Sequence, residues 1–137
     1  MRTPQELFDA LIAAGCLNFH IVGISKDIAN DTECLRLRDG QWEIYYTERG
    51  IERAPYFVSE DFAIAGEFYF RLITRMEHWH LQVFMRDAQI FEAEKAKLLA
   101  QNVKIKWDCI PNYAFVGDKM YRIFMLKNSP EDKPPQS

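Results

Sequence analysis

The sequence predicts an α+β domain in which about three helices form a single layer on a mixed or largely antiparallel sheet. Three observations support this prediction: a capped amphipathic segment opens the chain, apolar and polar residues alternate in several later segments, and 48% of the residues are hydrophobic. A chain of 137 residues has the usual size of one domain. We therefore predict one domain over residues 1–127 and interpret the polar, proline-rich residues 128–137 as a mobile tail.

The helices are predicted from their start and stop signals. Residues 3–6 read Thr-Pro-Gln-Glu, which is a capping box with proline in the first turn. An apolar stripe follows, and Gly15 suits the left-handed position that ends many helices. Ser59 and Asp87 are predicted to be the N-caps of a second and a third helix.

Alternation of apolar and polar residues predicts the strands. The segment 42–46 follows Asp39-Gly40, a dipeptide typical of tight hairpins, and it alternates as a half-buried strand does. Further strands are predicted near residues 19–22, 35–38, 55–58, 79–85, 103–109 and 120–127. Turning the apolar residues of each element inward predicts a core that contains Leu11, Trp42, Ile44, Leu72, Val83, Ile105 and Ile123.

The charge and the hydropathy pattern exclude several classes of partner. The net charge is −3, and no dense Lys/Arg cluster is present, so nucleic acid is not an expected partner. No apolar stretch is long enough for a membrane span, and the first residues lack the apolar core of a signal peptide. We expect a soluble, cytoplasmic protein that has no membrane partner.

Cysteine and histidine give no metal or redox motif. Cys16, Cys34 and Cys109 are scattered and form no CxxC pair, so we interpret them as buried, reduced thiols. His78 and His80 lie two apart on a predicted strand and point to the same side. A metal site needs a third ligand, which no nearby residue provides in sequence, so we read this as an exposed strand face. We predict no metal and no cofactor.

The chain carries none of the common catalytic motifs. Phosphate-binding glycine loops, the serine-hydrolase elbow and the zinc-protease helix are all absent. Four acidic residues lie near one another in sequence, but nothing indicates that any two converge for acid–base catalysis; they are Glu43, Glu48, Glu52 and Glu60. We therefore assign no catalytic residue and do not expect an enzyme.

Five segments resemble one family. Residues 42–50 read Trp-Glu-Ile-Tyr-Tyr-Thr-Glu-Arg-Gly. This strand and turn are similar to those of small bacterial immunity proteins encoded beside polymorphic toxins. The other matching segments are the aromatic and acidic residues 57–61, the Trp-His-Leu strand 79–81, the Asp-Cys-Ile-Pro strand end 108–111 and the Asp-Lys-Met-Tyr-Arg-Ile-Phe strand 118–124.

This resemblance implies a function. Such a protein is an antitoxin that binds a cognate toxin domain and occludes it, and toxins encoded near such genes often degrade NAD. The polar segment 25–32 and the proline-rich tail depart from the family's pattern, which leaves the identity of the toxin open. Two other readings stay open from the residues alone: a small-molecule-binding or regulatory module without catalysis, and an enzyme of unrecognised type.

The binding surface is predicted to be built from loops, because an inhibitor must reach into or over the cleft of its target. Two loops are candidates, the turn at 15–18 and the polar segment 25–32. We expect the 48–49 turn to flank one of them. The candidate partner-binding residues are Gly15, Cys16, Asn18, Lys26, Asp27, Asp31, Glu48 and Arg49. The alternative is purely structural, a helix stop and a solvated connection, and the loop at 113–119 is then the next candidate interface.

Overall fold

The computed structural model describes residues 2–128 and has the predicted α+β fold. The helices are α1 (Pro4–Ala13), α2 (Phe62–Thr74) and α3 (Ala88–Ala100). The strands are β1 (His20–Ile21), β2 (Thr32–Arg38), β3 (Gln41–Glu48), β4 (Ile51–Glu52), β5 (Phe57–Ser59), β6 (His78–Met85), β7 (Ile105–Ile110) and β8 (Met120–Asn128). Residues 129–137 of the predicted tail lie outside the described residues. Asn128 was assigned wrongly to that tail, because it ends β8 and is buried.

The described chain forms two compact units. Unit 1 contains residues 2–78 together with Asn128, and unit 2 contains residues 79–127. The three helices and the mixed and antiparallel strand pairing are as predicted, but the strands form a five-stranded sheet and a separate three-stranded sheet rather than one sheet. The assignment of residues 1–127 to one domain stays a prediction.

The sheet of unit 1 is mixed and is built around β3. The strand order is β1-β2-β3-β4, with β5 also paired to β3. Only β1 and β2 run parallel, and the other pairs are antiparallel. The β2–β3 hairpin turns at Asp39 and Gly40, whose φ angles of 53° and 76° suit the left-handed turn that the sequence predicted.

The core of unit 1 lies between its sheet and the two helices α1 and α2. The register of β3 is as predicted, because Ile44 is fully buried and the Trp42 ring lies 4.8 Å from the ring of Phe62 in α2. Leu11 is also fully buried, while Trp42 and Leu72 are partly buried against the same cluster. The apolar faces predicted for these elements therefore form one core.

The N-terminal ends of the helices follow the predictions at two of three positions. Thr3 caps α1, since its side chain accepts a hydrogen bond from the Glu6 amide. Asp87 caps α3 in the same way. The prediction for α2 is wrong: its N-cap is Asp61, and Ser59 is the last residue of β5. Pairing of Ser59 with Trp42 keeps the chain extended there, so the helix begins two residues later.

Unit 2 consists of α3 and a sheet in the order β6-β8-β7. The β7–β8 pair is antiparallel. Phe91 of α3 is buried and stacks on Tyr121 of β8 with 5.0 Å between ring centroids. Ile123 is fully buried as predicted, while Val83 and Ile105 are only partly buried. The core of this unit is therefore smaller than that of unit 1.

Candidate functional site

A groove of about 650 Å³ opens on unit 1 between α1 and the segment that follows β1. We call it the α1 groove. Its walls are mostly apolar, with the Phe8 and Phe19 rings in an edge-to-face contact at 5.4 Å. Polar side chains lie at its rim. The lining residues are Gln5, Phe8, Ile12, Leu17, Phe19, Ile24, Ser25, Lys26 and Asp27.

The groove exists because the apolar stripe of α1 is wider than the core requires. Leu7 and Leu11 are fully buried, whereas Phe8 and Ile12 stand one position further round the helix and face the groove. The Ile12 side chain stays 53% exposed and the nearby Leu17 is 57% exposed. A contiguous apolar patch left in water is typical of an interaction surface.

The turn at 15–18 forms one edge of this groove. Gly15 has a φ of 85°, as expected for the residue that stops α1, and the Cys16 amide donates to the Leu11 carbonyl at 3.0 Å. Cys16, a predicted partner-binding residue, is 2% exposed and belongs to the core. Asn18 is exposed. Leu17 lines the groove and was missed, although an apolar residue in a short turn was the available signal.

His78 fixes the backbone of this turn. Its Nδ1 atom accepts hydrogen bonds from the Leu17 amide at 2.9 Å and the Asn18 amide at 3.1 Å. Nδ1 therefore carries no proton, and Nε2 donates to the Ile73 carbonyl at 2.9 Å. Since His78 is also buried, the sequence-based picture of an exposed two-histidine strand face is wrong. The imidazole works as a structural acceptor for two backbone amides.

The second predicted loop forms the opposite edge. Ser25 closes it by accepting a hydrogen bond from the Ile21 amide at 2.9 Å, and Lys26 and Asp27 follow on the groove rim. The Asp27 carboxylate lies 3.9 Å from Nδ1 of His20. The loop ends one residue earlier than predicted, because Thr32 begins β2 and is buried. Part of each predicted loop therefore lines one groove, and among the predicted partner-binding residues Lys26 and Asp27 lie in its lining.

The Glu48–Arg49 turn meets the second loop but does not line the groove. The Asp31 carboxylate accepts a hydrogen bond from the Arg49 amide at 3.0 Å, which holds a turn with left-handed φ angles of 51° at Arg49 and 80° at Gly50. Glu48 pairs with Arg53 at 2.7 Å. Asp31, Glu48 and Arg49 therefore cluster as predicted, at a distance from the lining residues.

Two of the four acidic residues converge, which the sequence did not indicate. Glu43 and Glu52 both bind the guanidinium of Arg36, at 2.9 and 2.7 Å. The hydrogen bond from Arg36 lowers the pKa of the Glu43 carboxyl below its ordinary value. A general acid needs the opposite shift, so this pair is suited to holding β2, β3 and β4 together.

The thiols differ in exposure. Cys16 and Cys34 are buried as predicted, whereas the prediction is wrong for Cys109, which is exposed on β7. Burial raises the pKa of the Cys34 thiol, which lies 3.3 Å from the Thr47 hydroxyl. A raised pKa lowers the fraction of the thiol that is ionised, and the thiolate is the reactive form. The structure describes all three cysteines, and none forms a disulfide.

Within residues 2–128, no three His, Cys, Asp or Glu side chains are grouped to hold a metal ion, and no helix has the length and apolar character to cross a membrane. Models of protein families, curated proteins and solved structures gave no match to the chain. The resemblance to immunity proteins therefore rests on the sequence motifs alone, which lie in β3 and its following turn, in and after β5, in β6, at the end of β7 and at the start of β8.

Proposed function

We propose that this chain is an immunity protein that binds a cognate toxin domain in the cytoplasm and occludes it without catalysis. The observation that supports the proposal most directly is the α1 groove. Both loops predicted to contact a partner contribute to its lining, the 15–18 turn through Leu17 and the 25–32 segment through Ser25, Lys26 and Asp27. An apolar floor with a polar rim is the usual anatomy of a protein interface.

The groove lining can contribute both to the affinity for a toxin and to the orientation in which the toxin binds. Ile12 and Leu17 are half-exposed, so an apolar side chain of the toxin would remove them from water on binding. Lys26 and Asp27 place opposite charges side by side on the rim. Such a rim selects a partner with the reverse charge order and speeds its encounter more than it adds affinity.

A small-molecule-binding module is the second candidate, because the groove volume is that of a typical ligand site. The exposed polar residues Gln5, Lys26 and Asp27 beside the apolar ones favour a protein instead. The groove is open, and its apolar walls are joined by four polar lining residues, which are Gln5, Ser25, Lys26 and Asp27. Ser25 is already engaged with the Ile21 amide.

The proposal is tested with the toxin domain encoded beside the gene for this chain. Co-expression of the two should rescue growth, and calorimetry with a catalytically inactive toxin domain should show a one-to-one complex. If the toxin degrades NAD, as the family resemblance implies, co-expression should also restore the cellular NAD level. Absence of both binding and rescue would defeat the proposal.

The groove itself is tested by a matched pair of variants. Ile12→Glu places a charge on the groove wall and should weaken binding at least tenfold, about 1.4 kcal/mol. Ile64→Glu is the control, because Ile64 is also a helical isoleucine, is 55% exposed against 53% for Ile12, and does not line the groove. Equal affinities of the two variants would move the interface away from the groove.

A further inference from the structure

In the described part of the chain, β7 is an edge strand of the sheet of unit 2, because the strand order is β6-β8-β7. The four residues at its centre, 106–109, are all exposed, so the strand is accessible from both of its faces. A strand edge presents backbone N–H and C=O groups that are ready to pair with another strand. The backbone groups that point away from β8 therefore form a pairing edge.

The pairing with β8 fixes which residues of β7 point outward. The Lys104 carbonyl accepts a hydrogen bond from the Leu126 amide at 3.0 Å. The β7–β8 register, continued by one residue, places these two residues opposite each other. Hydrogen-bonded and non-hydrogen-bonded pairs alternate in an antiparallel ladder, so the even-numbered residues of β7 bond to β8. The outward N–H and C=O groups therefore belong to Ile105, Trp107 and Cys109.

Two opposite charges make β7 complementary to a second copy of itself. Lys106 and Asp108 lie two residues apart, so their side chains project from the same face of the strand. In an antiparallel pair of two β7 strands centred on Trp107, Lys106 of each copy lies opposite Asp108 of the other copy. These positions are non-hydrogen-bonded pairs, in which opposite side chains approach most closely. Opposite charges in such pairs stabilise the pairing of two strands.

The same charges disfavour the two neighbouring registers. A shift of the register must keep odd-numbered residues opposite odd-numbered residues, because only these present outward backbone groups. A two-fold axis at Lys106 places this lysine opposite its own copy, and an axis at Asp108 does the same for the aspartate. Like charges directly opposite each other destabilise a strand pair. Among these three registers, only the one centred on Trp107 joins opposite charges.

Neighbouring residues hold both charged groups on this face of the sheet. The Asp108 carboxylate accepts from Nε of Arg122 at 2.8 Å, and a carboxylate has about four acceptor sites, so it can also accept from a lysine. The Lys106 ammonium lies 4.7 Å from the centre of the Trp79 ring and 5.8 Å from that of Phe124. Phe124 is the β8 residue opposite Lys106, so these ring contacts keep the ammonium over the sheet.

We propose that two copies of this chain pair through β7, antiparallel and centred on Trp107, and so join their three-stranded sheets into one. Every outward N–H and C=O group of residues 105, 107 and 109 then has a partner on the other copy. Trp107 is 47% exposed and lies opposite its own copy, so pairing also removes apolar surface from water. One short strand buries little area, so the dimer is a weak one.

The second edge strand of this sheet lacks the feature that carries the proposal. β6 contains no Lys, Arg, Asp or Glu, so charges select no register for its pairing with a second copy. The inference concerns β7 of unit 2 and needs no toxin, so it stands or falls separately from the proposed function.

The wild-type chain is tested alone by sedimentation equilibrium and by amide hydrogen exchange over a range of protein concentrations. The average mass should rise from that of one chain toward that of two. The amides of Ile105, Trp107 and Cys109 should exchange more slowly as the concentration rises, whereas those of Lys106 and Asp108 already bond to β8 and should not change. A chain that is still monomeric at about 1 mM, where even a dimer with a dissociation constant of that size is well populated, would overturn the proposal. Self-association that leaves the three outward amides unprotected would overturn the assignment to β7.

Exchange of the two charges tests the register. Lys106→Glu and Asp108→Lys should each raise the dissociation constant about tenfold, because each places like charges opposite each other across the two-fold axis. The variant that carries both substitutions has opposite charges again and should recover the wild-type value. Lys97→Glu is the control, because it makes the same charge change on the exposed face of α3 and should leave the dimer intact. Circular dichroism checks that each variant is folded, and a folded double variant that stays monomeric contradicts the register.

A disulfide tests the position of the axis independently. Trp107→Cys combined with Cys109→Ser places one thiol on the axis, where opposite Cα atoms of a hydrogen-bonded pair lie about 5.5 Å apart, within the range of a disulfide. Mild oxidation should therefore link two chains of this variant. In the wild type, Cys109 is displaced from its own copy by four residues, roughly 14 Å along the strand, which is too far for a disulfide. Wild-type chains that cross-link as fast as the variant would refute the axis at Trp107.

Discussion

Asn128 joins the end of β8 to the end of α2, and its replacement gives the sharpest test of the fold. Its side-chain oxygen accepts from the His78 amide at 2.7 Å. Its side-chain nitrogen donates to the Met76 carbonyl at 2.7 Å and, more weakly, to the Thr74 carbonyl at 3.4 Å. The residue is 3% exposed, so water cannot readily replace these partners.

The substitution Asn128→Leu keeps the size of the side chain and removes all of these hydrogen bonds. Two short bonds are lost, and the buried groups left without a partner cost about 1–3 kcal/mol each. The weak bond to Thr74 adds little. We therefore expect the free energy of unfolding to fall by about 2–6 kcal/mol, a large part of the 5–15 kcal/mol that is typical of a domain.

The assay is urea unfolding followed by far-ultraviolet circular dichroism. Lys127→Leu is the matched control, because Lys127 precedes Asn128 in β8 and is exposed. The control should stay within about 0.5 kcal/mol of the wild type. A loss below about 1 kcal/mol for Asn128→Leu would refute the reasoning, since it would show that the amide contributes little net stability.

Two further predictions concern single polar groups. Tyr69→Phe removes a buried hydroxyl that donates to the Glu33 carbonyl at 2.7 Å and accepts from the His20 amide at 3.0 Å; the free energy of unfolding should fall by about 1–3 kcal/mol in urea, and an unchanged midpoint would contradict this. The hydrogen bond from Arg86 holds the pKa of the Asp118 carboxyl below its ordinary 3.8, so this ion pair stabilises the fold above pH 3.8 and the contribution is lost as the pH falls through the lowered value. Carbon-13 titration should place the Asp118 midpoint below 3.8 and move it up in Arg86→Met, and a wild-type midpoint at or above 3.8 would count against the ion pair.

The α1 groove and the loop at 113–119 differ in how far the sequence revealed them. The two loops beside the groove were predicted because polar residues and Gly15 interrupt the apolar pattern. The groove itself was not, because its walls combine α1 residues such as Phe8 with Lys26 and Asp27 from a later segment. The loop at 113–119 was named from the sequence only as the next candidate interface. The structure alone shows that Asp118 of this loop binds Arg86, which is 32 positions earlier in the chain.

The sequence by itself determined the features that depend on near neighbours in the chain. The Thr3 cap, the Asp39-Gly40 hairpin and the inward register of Ile44 all follow from local hydrogen bonding or from a period of two. Tertiary structure alone decided the division into two sheets, the start of α2 at Asp61 and the use of His78 as an acceptor. His78 accepts from amides 60 and 61 positions away, and no local pattern encodes a contact over that separation. Such contacts depend on the packing of the whole core. The chemistry of a side chain therefore predicts which groups it can bind, but not which groups lie beside it in the folded chain.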